Sequence, residues 1–159
     1  MSLNENSVAP DFTAANDNGN SASLADFRGK YIILYFYPKD NTTGCTAEAC
    51  DFRDNMSVLT EYGAAVIGVS PDSAKSHNKF REKYALNFML LSDEDKEICR
   101  LYGVWTEKSM YGRKYMGVER TTFLIDKQGL IRRIWRKVKV QGHIAEVLSF
   151  LQSIQNTDS

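Results

Sequence analysis

The chain has 159 residues, enough to bury a hydrophobic core without the disulfide bonds that stabilise much smaller domains. Its 20 basic and 20 acidic residues cancel, so no overall charge attracts it to nucleic acid or to an anionic membrane surface. No apolar run approaches the roughly 20 residues of a membrane-spanning helix, and residues 1–12 lack the pattern of a secretory signal. We therefore expect a protein of the reducing cytoplasm.

The first half of the chain predicts a hairpin and two buried strands. Residues 12–27 alternate weakly around a turn signal at Gly19, which is typical of a small β-hairpin. Segments 31–37 and 64–70 are almost continuously apolar, as in strands that are buried on both faces. Helical spacing of apolar residues between these two strands predicts a crossover helix, and hence a parallel pair.

The second half of the chain predicts a polar helix, a third strand, a short helix, an antiparallel hairpin and a C-terminal helix. These elements cover residues 73–84, 88–92, 98–102, 121–135 and 144–154. The order predicts one α/β domain over residues 1–159 with a thioredoxin-like fold, in which helices flank a central mixed β-sheet. A flavodoxin-like sheet is the alternative. It would end in repeated strand–helix units, and the hairpin argues against it.

The segment YPKDNTTGCTAEAC, residues 37–50, carries two of the three cysteines. Cys45 follows the first long apolar strand, and open α/β sheets place their sites beyond that end of a strand. It would lie in the first turn of the next helix, where free N–H groups and the helix dipole stabilise a thiolate, the nucleophilic form. Thr42 can cap this helix and direct its hydroxyl into the same pocket, and Pro38 shapes the preceding turn.

Cys50 stands five residues after Cys45. In one regular helix their Cα atoms are about 8.7 Å apart and the side chains point roughly 140° apart, whereas a disulfide tolerates at most about 7 Å. The pair can therefore bridge only after local unwinding. A two-stage cycle, in which Cys45 reacts alone and then meets Cys50, fits this geometry.

The segment YFYPKDNTTGCTAEACDFRD resembles the active site of the peroxiredoxins, whose motif Pro-x-x-x-Thr-x-x-Cys is occupied here by Pro38, Thr42 and Cys45. The position of Cys50 and the later segment MYGRKYMGVERTTFLIDKQG are similar to the bacterioferritin comigratory protein subfamily, also called peroxiredoxin Q. The likeness extends over nearly the whole chain. It implies a thioredoxin-like fold of the peroxiredoxin type.

The resemblance implies a thiol-dependent peroxidase for hydrogen peroxide and organic hydroperoxides that needs no cofactor or metal. Cys45 would become a sulfenic acid and Cys50 would resolve it as an intramolecular disulfide, which thioredoxin or a similar dithiol would reduce. Arg120 would stabilise the thiolate and polarise the peroxide, Thr42 would hydrogen-bond the peroxide, and Pro38 would shield the pocket. Because resolution within one chain needs no second subunit, we expect a monomer.

Two further positions enter through the same resemblance. Glu48 would hold the hydrogen bonds of the pocket in place. Thr43 is a departure, because the subfamily commonly has proline there, and losing a fixed φ could loosen the turn.

Two other functions use the same cysteines. A disulfide reductase of the thioredoxin type would need Cys-x-x-Cys, but Thr42 occupies the first position, and Arg120 stands where thioredoxins carry a cis-proline. A redox sensor without turnover stays possible on sequence grounds. It would be oxidised once and stop.

The remaining notable residues favour structural interpretations. We expect Cys99 to lie in the core. We expect the basic run 132–139 to form a solvated face of the sheet and not a nucleic-acid-binding surface. Trp105 and Tyr111 are expected in the core or in a pocket wall. Neither histidine has a ligand at metal-binding spacing, so we expect His77 and His143 at the surface or at helix caps.

Overall fold

A seven-stranded mixed β-sheet forms the centre of the molecule in the computed structural model, which describes residues 3–158. The strands of the chain are β1 (Thr13–Asn16), β2 (Ser21–Ser23), β3 (Tyr31–Phe36), β4 (Ala64–Ser70), β5 (Met89–Ser92), β6 (Trp105–Met110), β7 (Arg113–Val118), β8 (Thr121–Ile125) and β9 (Ile131–Trp135). The large sheet has the order β2-β1-β5-β4-β3-β8-β9, while β6 and β7 form a separate hairpin.

Helices cover both faces of the sheet. They are α1 (Thr43–Glu61), α2 (Ala74–Tyr84), α3 (Glu97–Leu101) and α4 (His143–Asp158), with a short 3-10 turn at Leu24–Phe27. Alternate residues of β3 enter two separate cores, one with α1, α2 and α4 and the other with α3. Within residues 3–158, no helix is long and apolar enough to cross a membrane.

The strand pairing brings two distant parts of the sequence to one edge of the sheet. β3 runs parallel to β4, and all six of its residues are buried. β8 runs antiparallel to β3, with Thr121 opposite Phe36. The chain that leaves the end of β3 toward α1 therefore lies beside the chain that enters β8, which includes Arg120.

The predicted thioredoxin-like architecture is confirmed, including the mixed sheet, the flanking helices and the N-terminal β1–β2 hairpin. The β6–β7 hairpin was missed. Its residues are mostly exposed, so the sequence lacks the apolar alternation that marks a half-buried strand. Trp105 packs against the core, but the expectation for Tyr111 is wrong, because it is fully exposed at the tip of this hairpin.

Candidate active site

Cys45 is the third residue of α1 and is 2% exposed. Thr42 precedes the helix with an extended backbone, and its carbonyl accepts from the Thr46 N–H at 2.8 Å, which closes the first turn. The predicted position in the first turn is confirmed. The sulfur therefore lies at the helix end whose free N–H groups and dipole favour an anion.

Arg120 joins Cys45 to an acidic residue. Its Nη2 donates to Cys45 Sγ at 3.2 Å, and its Nη1 donates to Glu48 Oε1 at 2.6 Å. Gly44 permits this approach, since a Cβ there would lie 3.2 Å from Arg120 Nη2. Burial lowers the pKa of Arg120, but Glu48 and Cys45 outweigh it and raise the pKa above its ordinary value. The guanidinium therefore keeps its charge beside the sulfur.

Glu48 is fully buried beneath this pair. Burial raises the pKa of its carboxyl to about 7, although the nearby Arg120 guanidinium lowers it. Oε1 accepts from Arg120, while Oε2 has no hydrogen-bond partner among residues 3–158 and is the oxygen open to a proton. Glu48 thus fixes the direction of the guanidinium and changes charge close to neutral pH.

The Glu48 carboxyl should make the free energy of unfolding depend on pH. Its pKa is raised from 4.5 to about 7, so the folded state binds the proton more tightly than the unfolded state. The resulting stability is fully present below about pH 4.5 and is lost as pH rises through about 7. Relative to Glu48→Gln, the parent protein should lose on the order of 3 kcal/mol over this window.

Urea unfolding at a series of pH values between about 5 and 8 measures this difference. Glutamine still accepts from Arg120 but cannot ionise. All other titrating groups are common to both proteins and cancel. A difference in unfolding free energy that does not change with pH would contradict the raised pKa of Glu48.

Thr42 and Pro38 lie in the turn between β3 and α1, where Pro38 is half-buried and Thr42 is exposed. The expected capping role of Thr42 holds for its backbone only, since its side chain makes no cap hydrogen bond. Its hydroxyl instead donates to the Lys39 carbonyl at 2.9 Å. Because the proton is engaged there, the oxygen can serve an incoming molecule only as an acceptor.

Cys50 lies in the second turn of α1 and is half-buried. The helix is continuous from Thr43 to Glu61, and all three cysteines are free thiols. The spacing expected for a regular helix therefore applies, and Cys45 and Cys50 can join only if the start of α1 unwinds. Thr43 is the first residue of α1, a position where proline is also well tolerated.

Cys99 lies on the opposite face of the sheet from Cys45. It is completely buried on α3, where its backbone N–H donates to Asp93 Oδ2 at 2.8 Å. Burial and the Asp93 carboxylate raise the pKa of the thiol well above its usual range. The expectation that Cys99 lies in the core is confirmed.

Lys108 adds a second cation that the sequence did not point to. Its side chain crosses the β6–β7 hairpin at Gly117, where a Cβ would meet Lys108 Cδ at 3.2 Å. Burial lowers the pKa of the ammonium, Arg120 lowers it further, and Cys45 raises it. A lone lysine in an exposed hairpin carries no sequence signal, because its role depends on the fold that brings it near Cys45.

Neither histidine lies at the surface, because both are buried, although His143 does stand at the start of a helix, as one of the two expectations had it. His77 Nδ1 lies 2.7 Å from Asp40 Oδ2, and its Nε2 lies 2.9 Å from the Leu91 carbonyl. His143 begins α4, with Nε2 2.8 Å from the Thr122 hydroxyl. Burial and the charge of Arg120 lower the pKa of His143 to about 4. Each imidazole ring contacts a polar group from a distant segment of the chain.

Asp40, Asp72 and His77 bring their ligand-type atoms within 4.8 Å of one another. These atoms are already engaged. Asp40 accepts from Tyr37 and Ser76, and Asp72 accepts from the Ser70 hydroxyl and from the Asp40 N–H. The cluster is thus a hydrogen-bond network that holds the turn after β3 against α2.

Comparison with known proteins gives a consistent result. The model of the AhpC/TSA family matches residues 6–134. Peroxiredoxin Bcp of Bacillus subtilis is 49% identical over 97% of this chain and 98% of its own length. A mutant PrxQ of Xylella fastidiosa is 36% identical with a TM-score of 0.92, covering 98% of this chain and 99% of its own.

A further solved structure is the bacterioferritin comigratory protein of Xanthomonas campestris, described in connection with its alkyl peroxide reduction activity. It is 41% identical with a TM-score of 0.85, and it covers 89% of this chain and 90% of its own.

Proposed function

The chain belongs to the AhpC/TSA family, as a thiol peroxidase of the Bcp or peroxiredoxin Q group, and from this premise we propose that Cys45 is the residue that reduces the peroxide. The observation that carries the proposal is the contact of Arg120 with both Cys45 and Glu48. A fixed cation beside a sulfur at a helix N-terminus stabilises the thiolate and the negative charge that develops on the peroxide oxygens.

In the first step the Cys45 thiolate attacks one oxygen of the peroxide. A sulfur–oxygen bond forms, the O–O bond breaks, and the second oxygen leaves as an alkoxide or hydroxide that takes up a proton. Arg120 stabilises the leaving oxygen, and Thr42 accepts a hydrogen bond from the peroxide O–H. Pro38, at the mouth of the turn, limits access of water. Cys45 ends as a sulfenic acid, oxidised by two electrons.

In the second step Cys50 resolves the sulfenic acid. The first turn of α1 unwinds, the Cys50 thiolate attacks Cys45 Sγ, and the sulfenic oxygen leaves as water after protonation. The remainder of α1 stays anchored, because Phe52 and Leu59 are completely buried in the core. A dithiol, thioredoxin or a similar protein, then reduces the disulfide by exchange and is itself oxidised.

Cys50→Ser should separate the two steps. The variant should still consume one equivalent of peroxide per chain, but steady turnover with thioredoxin should fall by at least about tenfold, because no intramolecular disulfide forms. Peroxide consumption and NADPH oxidation with thioredoxin reductase measure the two quantities. Cys99→Ser is the matched control and should keep full turnover. Unchanged turnover in Cys50→Ser would contradict the resolving role.

The same assay distinguishes a peroxidase from the two alternative functions. A redox sensor would consume one equivalent and stop, even with thioredoxin present. A disulfide reductase would reduce an external disulfide with its own dithiol, but the chain has Thr42 where Cys-x-x-Cys chemistry needs a cysteine. Repeated turnover with peroxide would contradict both.

We further propose that residues 1–159 act as one domain, as a monomer and in the cytoplasm. The odd number of cysteines argues against a closed disulfide framework and so supports a reducing compartment. Resolution within one chain supports the monomer.

A further inference from the structure

The exposed face of α2 carries a row of three lysines, Lys75, Lys79 and Lys83, at intervals of four residues. This spacing places them on one side of the helix. They line a groove of about 570 Å³ between α2 and the turn that contains Asp40 and Asn41. The groove, called here the lysine groove, is therefore cationic along its length.

The charge of the lysine groove is not neutralised within the molecule. None of its three lysines forms an ion pair with any of residues 3–158, and the acidic residue of α2, Glu82, does not line the groove. The Asp40 carboxylate is already engaged in buried hydrogen bonds with Tyr37, Ser76 and His77. Like charges four residues apart destabilise a helix, and the chain as a whole has no net charge. The three lysines are thus a local concentration of positive charge that destabilises α2.

The groove borders the part of the chain that carries the redox chemistry. Asn41 forms its wall, where Oδ1 accepts from the Tyr84 hydroxyl at 3.2 Å and from Lys83 Nζ at 3.4 Å. Asn41 stands four residues before Cys45, next to the turn of α1 that must unwind for Cys45 to meet Cys50. A molecule held in the groove would touch Asp40 and Asn41, in the segment that leads into the first turn of α1.

The length of the row indicates the size of the ligand. Lys83 stands eight positions after Lys75, which is a rise of about 12 Å along the helix. One phosphate cannot reach both ends, whereas carboxylates one helical turn apart on a protein surface repeat about every 6 Å, as the lysines do. An acidic protein segment therefore matches the row better than a small anion.

We propose that the lysine groove binds an acidic surface segment of the dithiol protein that reduces the Cys45–Cys50 disulfide. This inference rests on the proposed function, and it adds to it the surface that receives the reductant. The groove acts on the approach and residence of the reductant. It does not act on the reaction of Cys45 with peroxide.

Lys79→Glu tests the proposal, with Lys30→Glu as the matched control. Lys30 is exposed and precedes β3, at the opposite end of that strand from the groove. Glutamate at position 79 pairs with lysines four residues away on either side, so α2 should remain folded. The probe is thioredoxin regenerated by its reductase and NADPH, with dithiothreitol as the small reductant.

For Lys79→Glu we expect the KM for thioredoxin to rise about five- to tenfold and its dependence on salt to weaken. Turnover with dithiothreitol should be unchanged, and Lys30→Glu should behave as the parent protein. An unchanged KM in Lys79→Glu or an equal effect in Lys30→Glu would overturn the groove proposal. So would a parent protein that turns over with dithiothreitol but not with thioredoxin. Absence of turnover with dithiothreitol in the parent protein would instead overturn the proposed function.

Discussion

Replacing Cys45 with serine is expected to lower peroxide turnover by at least about 10⁴-fold, to the background of the assay. A serine hydroxyl is not ionised near neutral pH and cannot hold the oxygen that a thiolate takes from the peroxide. The substitution is nearly isosteric in a site where the side chain is 2% exposed, so the fold should be kept. The measurement is the rate of peroxide loss with excess dithiothreitol.

Cys99→Ser is again the matched control, because it removes a buried thiol on the other face of the sheet and should keep turnover. A Cys45→Ser protein that still reduces peroxide catalytically would remove Cys45 from its proposed role. Loss of turnover in Cys99→Ser with an intact fold would instead show that Cys99 takes part in the chemistry, which the proposed cycle does not include.

Replacing Arg120 with glutamine is expected to slow the reaction of Cys45 with peroxide by about 10²- to 10³-fold. The guanidinium is the charged donor to Cys45 Sγ at 3.2 Å, and glutamine supplies a neutral donor of shorter reach. Arg120→Lys restores a charge, but not the planar fork that meets Cys45 and Glu48 together. Its rate should fall between those of the parent protein and Arg120→Gln.

Stopped-flow measurement of sulfenic acid formation under single-turnover conditions reports this step alone. Arg113→Gln, an exposed arginine of the β6–β7 hairpin, is the matched control and should react at the parent rate. The proposed role of Arg120 would be wrong if Arg120→Gln reacted at the parent rate. Because Arg120→Gln leaves Glu48 buried without a cation, its carboxyl should also take up a proton more readily.

The order of the strands and helices could be predicted because the buried strands have local sequence patterns. β3 and β4 are almost continuously apolar, and Gly63, with φ of +73°, ends the turn after α1. The start of α1 at Thr43 follows from the same local signals. These features depend on neighbouring residues, so one sequence is enough to find them.

The features that were missed depend on contacts between distant segments. The burial of His77 follows from Asp40, which lies 37 residues away along the chain. The electrostatic influence of Arg120 and Cys45 on Lys108 requires the β6–β7 hairpin to fold against the site. Such contacts produce no periodic pattern in the sequence from which they could be predicted.

The conformational step links the fold to the cycle. α1 holds Cys45 against Arg120 while the helix is intact, and the same regular helix keeps Cys50 too far away to bond to it. Cys45 therefore reacts with peroxide while the first turn of α1 is helical. Cys50 attacks the resulting sulfenic acid after that turn has unwound. The core contacts of α1 begin at Cys45 itself and continue through Ala49, Phe52 and Leu59. The contacts from Ala49 onward can hold the rest of the helix while its first turn unwinds.

The central claim is that one peroxide oxidises Cys45 and that Cys50 then resolves it. The most direct measurement is peptide-mapping mass spectrometry of fully reduced protein after one equivalent of hydrogen peroxide. The account predicts a Cys45–Cys50 disulfide within seconds, with Cys99 still free. A stable oxygen adduct on Cys45 with Cys50 untouched would contradict the resolving step, and slow, scattered oxidation of all three cysteines would contradict the peroxidase mechanism as a whole.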